Sequence, residues 1–153
     1  MSATTAQPSS IHPAEVQMVR FAAEGACGIL LSFAGLQVAL AAGAPLGEHV
    51  WGGTQDSQLP STMRVVSGGA AVALTSAAWV VARRGGLVER PARWLSPATW
   101  GIAAYLALNT VGNVASTSSV ERYAFGSATA VASALTALVA FRTRHHRSVG
   151  VPT

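Results

Sequence analysis

YLALNTVGNVASTSSVERYAFG, residues Tyr105 to Gly126, reads as the end of one membrane helix, a tight polar loop and the start of the next. Tyr105, Asn109 and Asn113 recur every four residues and so share one helix face, with Ser116 close to the same line. In lipid a polar stripe is costly unless it faces protein or water. The stripe therefore predicts a membrane bundle with a polar interior, and the rest of the chain reads as its support and enclosure.

Composition points the same way. Of the 153 residues 50% are hydrophobic and only 10% charged, against about 25% charged in an average soluble domain. The apolar residues come in blocks of roughly 20, the length a bilayer demands. All ten basic residues are Arg, and with the abundant Ala this bias suggests a GC-rich bacterial genome. The net charge is +4, yet the arginines flank apolar blocks and form no interleaved basic and aromatic surface, which argues against nucleic acid. A single cysteine, Cys27, excludes an internal disulfide, and its neighbours Gly25, Ala26 and Gly28 suggest a small packed thiol.

Four spans are expected, at about 21–43, 63–82, 97–115 and 122–141, giving an all-α, antiparallel four-helix transmembrane bundle. Residues 1–20 read as a disordered or interfacial tail without the basic region of a cleavable signal peptide, so the first span would act as an uncleaved anchor. Residues 142–153 read as a basic tail. Arg83, Arg84, Arg90 and Arg93 fill one linker, and Arg142, Arg144 and Arg147 follow the last span beside His145 and His146. Both segments fall on one side of a four-span weave, which predicts cytoplasmic N- and C-termini in the plasma (inner) membrane. Phe21, Trp79, Trp94, Trp100 and Phe141 are expected at the inner interface, and Trp51, Tyr123 and Phe125 at the outer one.

Small residues mark the expected seams. Gly25, Gly28, Ser32 and Gly35 share a face of the first span. Arg64, Gly68, Ala71, Thr75 and Ala78 do so in the second, and Gly126, Ala130, Ser133 and Ala137 in the fourth. Short turns are expected to make sequential helices neighbours.

The candidate site is a polar pocket in the outer half of the bundle, lidded by the Pro- and Gly-rich loop 44–62. Its ligand-binding candidates are Gln37, Arg64, Tyr105, Asn109, Asn113 and Glu121. Arg64 would anchor an anion, Asn109 and Asn113 would give directional hydrogen bonds, and Glu121 or Glu48 a counter-charge. The structural alternative pairs Arg64 with Glu121 or Asp56 and lets the asparagines bond across helices. In that alternative Ser118 and Glu121 have capping-box spacing for the fourth helix. Glu24, one turn from Arg20, reads as an interfacial ion pair. Glu48, His49 and Asp56 are too loosely spaced for a confident metal site. No nucleotide, hydrolase, zincin or haem motif is present, so neither catalytic residues, metal nor cofactor is expected.

The run LNTVGNVASTSSVERYAFG, with GAPLGEHVWGG and the following Leu59, Pro60 and Arg64, resembles a group of small four-span bacterial integral membrane proteins with no established activity. The resemblance implies topology and no chemistry. The leading expectation is a non-enzymatic membrane protein: an interaction, accessory or small-ligand-binding component whose partners are the lipid bilayer and a second copy or another membrane protein. The alternatives are a small oligomeric transporter or efflux subunit using Glu24 or the Gln37, Asn109 and Asn113 stripe, and a membrane enzyme acting on a lipid or quinone.

Overall fold

The structure is a computed structural model that describes residues 13–89 and 91–144. The tail read for residues 1–12, Arg90, and the His145, His146 and Arg147 segment lie outside the described residues. Four helices make the fold: α1 (Pro13–Ala42), α2 (Ser61–Arg84), α3 (Ser96–Ala115) and α4 (Gly126–Arg142). There is no strand among the described residues. Helix α4 is entered through a π-helical turn, Val120–Phe125, and short 3₁₀ turns cover Gly47–His49, Trp51–Gly53 and Arg93–Leu95.

Three of these helices are long and apolar enough to cross a membrane: α1, α2, and the Val120–Arg142 run that ends in α4. Helix α3 has 20 residues but does not join them, because Tyr105, Asn109, Asn113 and its Ser-Pro start dilute its apolar content. The interfacial segment expected before residue 21 is helical from Pro13 and continuous with α1.

Local chemistry fixes the helix ends. Pro13 suits the first turn of α1, where no intrahelical N–H bond is lost. Gly43, at φ +98°, stops α1: its N–H bonds the Leu40 carbonyl and the Ala44 N–H the Ala39 carbonyl. Gly86, at φ +71°, does the same for α2, with the Leu87 N–H reaching the Ala82 carbonyl. Both are left-handed glycine stops that use up carbonyls the helix would otherwise leave unpaired.

The helices pack as two hairpins, α1 with α2 and α3 with α4, joined where α1 lies against α4; α2 and α3 scarcely touch. The expectation that all sequential helices would be neighbours therefore fails at one seam. The core is built of small side chains, including Ala22, Ala23, Ala26, Ala78 and Ala132, around Leu30, Val81, Leu106 and Val139. Such faces let backbones approach closely, and in lipid this close packing replaces the missing hydrophobic push. On α1 only part of the predicted glycine face is used. A Cβ on Gly25 would sit 3.0 Å from Leu135, whereas Gly28 and Gly35 meet nothing within 4 Å.

One end of the bundle gathers the arginines. Arg84 is 2% exposed and donates to the Ala92 carbonyl and to the carbonyl and hydroxyl of Thr143, tying the α2–α3 linker to the end of α4. Arg83 pairs with Glu89, and Arg142 with Glu15 at 2.9 Å. The opposite end carries loop 44–62 and the 116–121 turn, and is called the lid end below.

Helix α2 comes so close to α1 that a Cβ on Gly85 would lie 2.2 Å from the Ala23 Cβ. Gly85→Ala is expected to cost about 1–3 kcal/mol by overpacking. Gly28→Ala, with open space around it, should be neutral or gain about 0.5–1 kcal/mol from helix propensity. Thermal unfolding of both variants in nanodiscs checks the contrast.

Candidate functional site

Because α2 and α3 diverge, a partly open cavity of about 790 Å³ runs between them into the middle of the bundle. Its α2 wall is Ala70, Ala73, Leu74 and Ala77, and its α3 wall includes Ala98, Gly101, Ile102 and Tyr105. Leu30 and Phe33 of α1 form the floor. From Ala98 to Asn113 the α3 wall extends about 22 Å at a rise of about 1.5 Å per residue. The arginine-end half is apolar. The lid-end half holds Gln37, Asn109, Asn113, Glu121 and Thr129.

Five of the six residues singled out from sequence thus line one cavity: Gln37, Tyr105, Asn109, Asn113 and Glu121. Arg64 does not. Its guanidinium lies over Gly43, and its Nε donates to the Ala41 carbonyl at 3.0 Å, so it caps α1 outside the cavity. It forms an ion pair with neither Glu121 nor Asp56, so the structural alternative loses its ion pair, while its other half, an asparagine bonding across helices, is present in the Asn113–Thr129 contact. Glu48 and His49 are exposed; His49 contributes its backbone carbonyl to the Ser118 hydroxyl. Glu24 is exposed on α1, away from the cavity, and forms no ion pair with Arg20 among the described residues.

Glu121 organises the lid end. It sits in the π-helical turn and is 7% exposed. Its Oε2 accepts the Gly52 N–H at 2.9 Å and the Ser116 hydroxyl at 2.5 Å. Hydrogen bonds to a charged partner contribute about 1.5–3 kcal/mol each. Its other oxygen, Oε1, accepts none from the described residues, and no cation forms an ion pair with it there. Neighbouring Arg122 gives its side chain to the Ser116 carbonyl at 2.8 Å instead. The Ser118 hydroxyl accepts the Glu121 N–H at 3.4 Å, so the capping half of the predicted box forms, while the Glu121 carboxylate goes elsewhere.

The loop over the cavity is held in an unusual backbone. Trp51, Gly52 and Gly53 all have positive φ, at 55°, 87° and 71°. For a tryptophan this costs about 1–3 kcal/mol and persists only where surroundings enforce it. Here both polar groups of Gly52 are clamped, the N–H by Glu121 and the carbonyl by the Thr117 hydroxyl at 2.6 Å. Gly53 lies so close to Ser118 that a Cβ there would stand 2.9 Å from the serine Cβ. The clamp presses Trp51 into the cavity wall.

The polar stripe is only partly spent. Asn113 Nδ2 reaches Asn109 Oδ1 and the Thr129 hydroxyl, each at 3.4 Å, the second across the α3–α4 contact. Gln37 makes no side-chain hydrogen bond, and Gln37 Oε1 and Trp51 Nε1 are buried without a partner among the described residues. A buried polar atom left unpaired costs about 1–3 kcal/mol, and both residues line the cavity.

Sequence reasoning missed Phe33, Trp51, Phe125 and Thr129 as lining residues. Trp51 and Phe125, expected at the outer interface, both line the cavity, and Phe125 meets Phe33 edge-on, with ring centroids 5.4 Å apart. The usable signal was spacing: Phe125 and Thr129 continue the line of Glu121 at intervals of four. Among the described residues no three His, Cys, Asp or Glu side chains gather at one place. No protein-family model, curated protein or solved structure matches this chain.

Proposed function

We propose that this is a bacterial plasma-membrane protein of four spans, with both termini cytoplasmic, that binds a small membrane-soluble ligand between α2 and α3. The carrying observation is the cavity itself. It is partly open, lies where α2 and α3 scarcely touch, is apolar along most of its length, and ends in a cluster of underused hydrogen-bonding groups. Ligand sites have this composition, with volumes of about 300–1,000 Å³ and a few polar groups that fix orientation. Helix α3 supplies the polar face and is the one of the four that is not long and apolar enough by itself to count as a span. It can cross lipid only because Asn109, Asn113 and Tyr105 look onto the cavity. The orientation rests on the arginines at one end, which the positive-inside rule assigns to the cytoplasm.

This reading places the protein among binding or accessory components and assigns it no reaction. The transporter alternative keeps the same cavity and loses Glu24 as its coupling group, since Glu24 lies outside it.

Orientation is tested in a Cys27→Ala background. Ser57→Cys should react with a membrane-impermeant maleimide on intact cells, and Thr143→Cys should react only after lysis; the reverse pattern would invert the topology. Ligand binding is tested by native mass spectrometry from near-native lipid particles. A discrete non-phospholipid mass is expected on the wild type and should be lost in Asn113→Leu. Bulk phospholipid alone on both would leave the polar stripe a packing device.

A further inference from the structure

The polar end of the cavity has a definite electrostatic sense. Among the described residues Glu121 is the only charged one that lines it, and no Arg or His does. Its carboxylate is buried, spends Oε2 on the loop, and has no cationic partner among the described residues. A buried carboxylate without a counter-charge is costly, and breaking or withholding its partner leaves that cost in place. Arg64 and Arg122, the two arginines of the lid end, are turned to backbone carbonyls, Arg64 to Ala41 and Arg122 to Ser116.

Aromatic rings surround the same end. Trp51 adjoins the Gly52 amide bound by Glu121, and Phe125 lies one turn beyond Glu121 and contacts Phe33 edge-on. All three line the cavity. Ring faces attract cations, most strongly where water is excluded. Gln37 adds an unpaired acceptor, its buried Oε1. These groups suit a donor-bearing cation, and the buried Trp51 Nε1–H is a neutral donor that a further polar group of the ligand can take up.

Resting on the ligand-cavity reading above, we propose that the cavity takes an alkylammonium amphiphile. Its positive head sits against Glu121 and the rings of Phe33, Trp51 and Phe125. Its chain lies along Leu30, Leu74, Ala77 and Ile102 towards the arginine end. The slot opens between α2 and α3, so the chain slides in from the bilayer and the head need not pass the clamped loop. The ammonium group can belong to a free amphiphilic amine or to the headgroup of an aminophospholipid.

The test is competition in native mass spectrometry, with protein released from phosphatidylcholine nanodiscs. Dodecylammonium, dodecanol and dodecanoate are supplied together at equal concentration. Dodecylammonium is expected to exceed dodecanol in occupancy by about tenfold, given the added charge and ring contacts, with dodecanoate lowest. Glu121→Gln should bring dodecylammonium down to the level of dodecanol. Because Glu121 also pins the loop, the wild-type ranking decides the matter alone if the variant does not fold. Equal occupancy of the three probes, or a preference for dodecanoate, overturns the cationic assignment while keeping the cavity as a ligand site. Retention of none of them overturns both. Repeating the measurement in discs that also hold phosphatidylethanolamine separates the sources. An intact phosphatidylethanolamine adduct that displaces dodecylammonium identifies the lipid headgroup, and unchanged dodecylammonium occupancy identifies the free amine.

Discussion

A single buried carboxylate holds the lid end of this bundle together. Glu121 joins the turn before α4 to the loop after α1 through the Gly52 N–H, and to the end of α3 through the Ser116 hydroxyl. Three segments, one of them 69 residues from Glu121 in sequence, thus meet on one oxygen. The π-helical turn explains how the group reaches them: an expanded turn shifts side-chain register against a regular helix, and such turns recur at functional sites. The left-handed run at Trp51–Gly53 is the counterpart on the other side.

The opposite end is tied by a cation. Arg84 spends its guanidinium on the Ala92 carbonyl and on Thr143, so the linker after α2 and the end of α4 are anchored together. Between the two ties the helices are free to choose partners by surface. The Ala-rich faces of α1, α2 and α4 choose one another, as in the Ala22, Ala26, Ala78 and Ala132 cluster. Helix α3 is held to α4 by the Ser133 hydroxyl on the Ala103 carbonyl and by the Asn113–Thr129 contact, and its Leu106 is buried in the common apolar cluster. Nothing comparable joins α2 to α3. The cavity is the consequence: a seam left open because its two walls, Ala70, Ala73 and Ala77 against Ala98 and Gly101, are too small to fill it.

Much of this was legible in the chain. Bilayer-length apolar blocks marked the helices, and the spacing of Tyr105, Asn109 and Asn113 marked the polar face. Gln37 and Glu121 joined it because polar residues inside apolar blocks are rare and must face something. Arg64 misled for a physical reason. A long cationic side chain beside a helix end has a local partner, the free carbonyls of α1, which spacing alone does not reveal. Trp51 and Phe125 misled because aromatic residues near a span end fit an interfacial belt and a cavity wall equally well. The unequal packing of α2 against α1 and α3 depends on three-dimensional fit, and no one-dimensional pattern carried it.

The central claim is that lipid-soluble molecules reach the interior through the α2–α3 seam. Phospholipids with a diazirine in the acyl chain, photolysed around the protein in nanodiscs and followed by peptide mapping, test it most directly. The account predicts adducts on Leu74 and Ile102, which line the cavity, as well as on outward residues such as Val72 and Leu108. Adducts confined to the outward set, with Leu74 and Ile102 unlabelled, would mean the seam is closed in a bilayer and would contradict it.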